Sequence, residues 1–349
     1  HFNSTEQSLK SSWILCMAMD LFQRTIVAML LSFVVAYAID YWLINGSKKW
    51  GQWGFDHPNA RSLHVAPVSR LGGIGLFLGV LTSWSFFSLT LPNMVWIGLC
   101  LLLIVSVLDD IKGLPVWFRL CLHSFVALSC AFDLFFSGGG YFSVIIGTAA
   151  IVWMINLYNF MDGSDGLAGG MAVIGFGSYG LFAYWAGYEN YALINFSIAA
   201  AALGFLIHNF SPARIFLGDG GAIPLGFLAI VVGVMGWKES IWPLWFPWLI
   251  FSPFIVDATV TLLKRVFRGE KIWQAHRQHY YQSMVQNGFG HRNTALCWYG
   301  VMLLAGISAV WAAQQGSSVQ RVTLIAWSTI YLMLLFIFES TQKFRGNRG

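Results

Sequence analysis

Long apolar runs, parted by short polar or glycine-rich breaks, make up most of the chain. A membrane-crossing helix needs about 20 mainly apolar residues. Eleven stretches approach or meet that length: 21–45, 71–91, 93–108, 117–137, 141–158, 167–187, 190–208, 221–237, 241–263, 294–314 and 320–339. The shortest include 93–108 and 221–237, and Leu91-Pro92-Asn93 is the one break within 71–108. Residues 1–18 read as a polar N-terminal extension without a cleavable leader. Residues 19–349 read as a single membrane domain, with its polar loops at 46–70, 109–119, 156–167, 209–221 and 264–293.

Composition narrows the class further. The chain is 57% hydrophobic and 10% charged, against roughly 45–50% and about 25% in soluble domains. So little charge cannot cover a soluble protein of 349 residues, which excludes a soluble enzyme, a disordered chain and a disulfide scaffold. The expected fold is all-α, a polytopic helical bundle of about 11 spans. The five cysteines, Cys16, Cys100, Cys121, Cys130 and Cys297, form no C-x-x-C pair and read as small buried hydrophobes.

The net charge of +5 is a topological signal rather than a nucleic-acid one. When the connections are taken alternately, sixteen of the 20 lysines and arginines fall in one set. The other set holds only Lys10, Arg24, Lys238 and Arg321. Basic loops stay cytoplasmic, so the expectation is an outside N-terminus and a cytoplasmic C-terminus.

On that topology the informative acids share one face. Asp109 and Asp110 end the third span, Asp162 and Asp165 precede the sixth, and Asp219 opens the eighth. Each group lies at a helix end; glycines, among them Gly163, Gly166, Gly218, Gly220 and Gly221, surround the last three acids, and little counter-charge is evident nearby. Crowded carboxylates repel, and oxygen-only ligands suit Mg²⁺, with Mn²⁺ as the alternative. Mg²⁺ takes one or two carboxylates plus substrate phosphates, which implies a phosphorylated substrate. Backbone amides at helix N-termini attract anions in the same way.

Two further loops face the same side. His276, Arg277 and His279 lie in the longest connection, with the two histidines at i, i+3; they suit phosphate, the alternative being a plain basic juxtamembrane segment. A zinc site would lack a thiolate partner. The loop from 57 to 73 mixes His57, Arg61, His64 and Arg70 with proline and glycine, as an ordered anion-binding loop does. The rival class is a secondary transporter, whose ionisable groups lie near the bilayer midplane; Asp133 and Asp257 are the deeper acids, and Asp257 is placed to pair with Lys264.

These residues resemble the polyprenyl-phosphate N-acetylhexosamine-1-phosphate transferases. The motifs follow in order through 57–282: H-P-x-x-R-S-x-H, Asp109-Asp110, N-x-x-N-x-x-D-G-x-D-G-L from Asn156, and N-F-S-P-A-R-I-F-L-G-D from Asn209 to Asp219. The His276-x-x-His279-x-Tyr281 form is similar to the branch that primes O-antigen. Departures are the missing last acid of D-D-x-x-D, where Gly113 stands, and the reduced histidine run.

The resemblance implies a Mg²⁺-dependent enzyme of the bacterial inner membrane that takes a UDP-N-acetyl amino sugar and undecaprenyl phosphate. The products would be UMP and a lipid-linked sugar diphosphate, with no nucleic-acid partner; a homodimer is compatible. It implies Asp219 as the metal ligand and Asp109 and Asp110 as the catalytic pair. Asn156, Asn159, Asp162, Asp165, Asn209, Arg70, His276, Arg277 and His279 would be substrate-binding. The donor sugar stays open among N-acetylglucosamine, N-acetylfucosamine and N-acetylquinovosamine types, as does a direct against a covalent route.

Overall fold

The computed structural model of the chain describes residues 19–47, 55–56, 67–271 and 276–346. The extension 1–18 and the histidine-arginine motif at 57–64 lie outside the described residues.

Helix α1 (Leu21–Ser47) opens on a reciprocal cap. The Gln23 N–H donates to Asp20 Oδ1 (2.8 Å) and the Asp20 N–H to Gln23 Oε1 (3.2 Å), so two amides left over at the helix start are satisfied. A short antiparallel pair follows, β1 (Phe55–Asp56) with β2 (Val68–Ser69). Then come α2 (Gly72–Phe86), α3 (Asn93–Lys112), α4 (Val116–Phe160), α5 (Leu167–Trp185), α6 (Glu189–Asn209) and α7 (Asp219–Lys238). The chain continues through α8 (Trp245–Ile250), α9 (Ser252–Phe267) and α10 (Tyr280–Met284). A π-helical turn, Val285–Phe289, leads into α11 (Gly290–Ala313), and α12 (Ser317–Gly346) ends the chain's described part.

All eleven apolar stretches are helical, but not as eleven separate long helices. Among the described residues, eight helices or helical runs are long and apolar enough to cross a membrane. The stretches 117–137 and 141–158 run together as α4, bent only at Gly140, whose φ of 61° and ψ of −160° no helix contains. The stretch 71–91 yields the 15-residue α2. The stretch 241–263 divides at Phe251 into α8 and α9. Pro253 in the first turn of α9 has no N–H to continue the preceding ladder.

Helix α7 is apolar all round and almost wholly buried, as such a helix must be. Gly226 lets it lie directly on α4, since a Cβ there would meet the Met154 carbonyl at 2.8 Å. Close approach through small residues is the usual membrane-helix solution. Helix α12 leaves most of its apolar surface outward. Of the cysteines, Cys130 is buried while Cys100, Cys121 and Cys297 lie on the outer surface, so burial holds for one of the four described.

The short strands steer the chain into α7. Ser69 pairs in parallel with Ile215, and the Phe216 N–H donates to the Ser69 carbonyl (2.7 Å). The first amides of α2, at Gly72 and Gly73, donate to the carbonyls of Phe216 (3.0 Å) and Leu217 (2.9 Å). Two residues later α7 begins at Asp219.

Candidate active site

Asp109 and Asp110 sit in the last turn of α3, where the negative end of the helix dipole disfavours carboxylates. Each is compensated differently. Asp110 accepts the first two amides of α7, from Asp219 N–H (3.0 Å) and Gly220 N–H (2.7 Å). It therefore caps α7 from another helix and meets that helix's positive end. Gly218, at φ 71°, makes the approach possible, because any Cβ there would strike the Arg70 carbonyl and the Asp110 carboxylate.

Asp109 turns the other way. Its Oδ1 accepts the Leu114 N–H, and its Oδ2 takes Arg119 Nη1 at 2.7 Å. The same Nη1 reaches Asp219 Oδ2 at 2.7 Å. Asp219 Oδ1 receives the Asn159 side-chain amide at 3.0 Å. Termini of α3 and α7 and both ends of α4 thus meet around one guanidinium. The little counter-charge expected from sequence is corrected here: Arg119, ten positions beyond Asp109, bridges two of the carboxylates.

Asp162, in the loop between α4 and α5, lies within electrostatic reach of Asp219, Asp110 and Arg70. Burial first, then the two neighbouring carboxylates, push its carboxyl well above the ordinary range, with Arg70 opposing. An acid so raised keeps its proton in the folded state at pH values where the unfolded chain has lost it. Stability therefore falls as pH rises between the two pKa values. Asp162→Asn, which never ionises, should unfold at a higher temperature than the wild type at alkaline pH, and the gap should close on acidification. Thermal unfolding in detergent across pH 5–9 reads this; a gap that widens toward acid would reverse the assignment.

Asp165 and Asn209 fasten the same loop. Asn209 Oδ1 accepts the Gly166 N–H (2.9 Å), and its amide donates to the Ile215 carbonyl (2.9 Å). Asp165 Oδ2 accepts the Ala213 N–H (3.1 Å). Asn156 points its amide at its own helix, to the Val152 carbonyl (2.8 Å).

The histidine loop forms a second cluster. Asp257, fully buried on α9, accepts His279 Nδ1–H (3.1 Å) and the amides of Tyr280 and Tyr281 (3.0 Å each). The expected Asp257–Lys264 pairing is corrected: Lys264 is paired with Glu339 on α12. His279 is buried, stacked between Phe160 and Tyr281, so it braces the loop from inside rather than facing outward. His276 accepts the Gln278 N–H at Nδ1 (3.4 Å). Burial, together with His279 and Arg265, pulls its pKa down to about 4, so it is a neutral imidazole at pH 7. Arg277 is half-buried, and its carbonyl takes the Gln286 amide (3.3 Å). The two clusters touch where the Tyr281 hydroxyl donates to the Phe160 carbonyl (2.9 Å).

The structure therefore joins Asp109, Asp110, Asn159 and Asp219, with Asp162 and Arg70 in reach, and ties the loop of His276, Arg277 and His279 to them through the Tyr281–Phe160 hydrogen bond. Sequence reasoning passed over Arg119 and His291 and missed the true partner of Asp257, which is His279. For Arg119 a signal was available, a cation closely following an acidic pair; for the other two, no local pattern marks the partner.

Comparison with known proteins follows the same lines. Residues 93–237 match the family described as glycosyl transferase family 4. The chain is 26% identical over 300 residues to a probable undecaprenyl-phosphate N-acetylglucosaminyl 1-phosphate transferase of Bacillus subtilis, covering 81% of this chain and 80% of that one. It is 27% identical over 303 residues to the undecaprenyl-phosphate alpha-N-acetylglucosaminyl 1-phosphate transferase of Yersinia pestis, covering 80% and 81%. To the decaprenyl-phosphate N-acetylglucosaminephosphotransferase of Mycobacterium tuberculosis it is 25% identical over 305 residues, covering 73% and 75%. The acidic helix ends, the ordered motifs and these likenesses agree in making the chain similar to the undecaprenyl- and decaprenyl-phosphate N-acetylglucosamine 1-phosphate transferases.

Proposed function

We propose that the protein transfers an N-acetylhexosamine 1-phosphate from a UDP-linked amino sugar to undecaprenyl phosphate, releasing UMP and starting a lipid-linked polysaccharide of the O-antigen kind. The observation that carries this reading is the Asp109–Arg119–Asp219 bridge beside the Asp110-capped start of α7. The relatives' names support the substrate classes, and the His276-x-x-His279-x-Tyr281 form supports the O-antigen branch. An apolar cavity of about 490 Å³ between α9, α11 and α12 reaches Asp257 and Tyr280, and suits part of an isoprenoid chain.

The oxygens at this point are the carboxylates of Asp109 and Asp219, which suit a hard divalent cation. Among the described residues no group of three or more His, Cys, Asp or Glu side chains is assembled as a cage; Mg²⁺ needs none, since it binds through one or two carboxylates and substrate phosphates. Asp219 would hold Mg²⁺ (or Mn²⁺), with Asp109 beside it. When bound, the ion neutralises charge on the diphosphate.

The protein's own groups do the rest. Asp109 takes the remaining proton from the lipid phosphate. The phosphate oxygen then attacks the sugar-bearing phosphorus directly, and the bond from that phosphorus to the UMP phosphate breaks. Arg119 and Arg70 supply positive charge beside the carboxylates, and Arg277 of the histidine loop would add its own to the diphosphate. Membranes carrying the protein, given undecaprenyl phosphate and a panel of UDP-amino sugars, should release UMP with one donor and yield the matching lipid by mass spectrometry. No product with any donor would sink the proposal.

The nucleotide sugar is cytosolic, so the reading needs these loops at the cytoplasmic face of the inner membrane, as the skewed lysine and arginine distribution supports. Single cysteines replacing Lys112, Arg214 or Lys271 on a cysteine-free background should resist an impermeant thiol reagent in intact cells, and one replacing Lys238 should be labelled. Labelling at Arg214 but not at Lys238 would invert this part of the topology.

A further inference from the structure

The loop carrying Asp162 is held from a direction that neither its own helices nor the motifs predict. His291 stands in the first turn of α11, more than a hundred residues downstream. Its Nδ1 lies 2.9 Å from the Ser164 hydroxyl, 3.4 Å from the Asp165 N–H and 3.8 Å from Asp165 Oδ1. Ser164 is buried. Nδ1 faces an amide that can only donate, so in the neutral ring it is the acceptor and the proton sits on Nε2.

The backbone is shaped to deliver this ring. Before α11 the chain makes the π-helical turn Val285–Phe289, and Gly288 (φ 91°) and Gly290 (φ 71°) flank Phe289 in left-handed conformations. Single π turns recur at functional sites, where they redirect side chains. The same arm adds Tyr299, whose hydroxyl donates to the Gly166 carbonyl (2.6 Å). On its other side the loop is fixed by Asn209 and by the Ala213 amide.

We infer that His291 is a positioning residue of the transferase: it fixes Ser164 and Asp165, and through them the placement of Asp162 against Arg70 and Asp219 where the nucleotide sugar is held. This rests on the function proposed above. A loop misplaced by about 1 Å can lose about 10²-fold in rate, and truncating His291 leaves the buried Ser164 hydroxyl without this partner.

The test compares three substitutions in the full-length protein in membranes. His291→Ala should lower kcat/KM for the UDP-sugar by about 10–10²-fold and leave KM for undecaprenyl phosphate within about two-fold of wild type. His291→Asn places an acceptor near the Nδ1 position and should recover most of the loss; His291→Gln, which reaches toward Nε2 instead, should not. Thermal unfolding of each variant identifies any that fails to fold, and the folded Asn variant then decides. Wild-type constants in the alanine variant would overturn the inference. So would a folded but inactive asparagine variant, or equal rescue by asparagine and glutamine. A wild-type protein that releases no UMP with any donor would overturn the functional reading itself and this inference with it.

Discussion

Asp219→Asn is expected to leave a folded protein that no longer performs Mg²⁺-dependent transfer. The fold survives because the contact tying this residue to Asp110 runs through its backbone amide, which the substitution keeps. The side chain is different. One oxygen faces Arg119 and the other the Asn159 amide, so a neutral amide would present a donor to one of two donors. It would also remove the charge that a hard cation needs from this site. Loss of even one preorganised electrostatic partner costs roughly 10²–10³-fold in turnover, and loss of a metal-binding carboxylate should exceed that. A second readout is independent of activity: the rise in unfolding temperature that Mg²⁺ gives the wild type should vanish in the variant. Normal turnover with an unchanged Mg²⁺ dependence would remove Asp219 as the ligand.

Arg119 holds the two acidic helix ends together. It is partly exposed and bridges two carboxylates on different helices, so the guanidinium supplies positive charge between them. A diphosphate entering with its own counter-ion would compete for this arginine. The bidentate geometry of guanidinium suits it to follow the phosphate, as lysine would not.

What was legible in the chain follows from the range of each interaction. Helices announce themselves through local apolar runs, so each predicted span contains helix, though among the described residues only eight helical runs are long enough to cross a membrane. Where a span is interrupted depends on single backbone conformations: Gly140 bends a helix that continues, and Phe251 ends one that seemed to go on. The acidic residues stood out because charge is scarce in an apolar chain. Their division of labour did not, since Asp109 and Asp110 are neighbours in sequence and face different helices in space. His279 was legible as a loop histidine, but not its burial, because the partner Asp257 lies 22 positions earlier on α9. His291 reaches its loop only across the packed fold, and pairing at such separation leaves no periodic trace.

That division of labour gives the second large effect. Asp109→Asn should lower kcat by at least about 10²-fold, the scale of a lost general base, with little change in KM for the UDP-sugar. Its unfolding temperature should stay near that of the wild type, because Arg119 keeps Asp219 as a partner. Asp110→Asn should behave otherwise. Its carboxylate accepts two amides at the start of α7, and an asparagine can accept with only one of its two atoms. Hydrogen bonds to charged groups contribute roughly 1.5–3 kcal/mol, so this variant should unfold at a clearly lower temperature. It should also lose turnover, because Asp219 is the first residue of the helix it caps. Purified variants assayed for UMP release and thermal unfolding side by side would separate the two roles. If Asp109→Asn were the destabilised variant and Asp110→Asn kept wild-type stability while losing turnover, the base would be Asp110 and the cap assignment would fall.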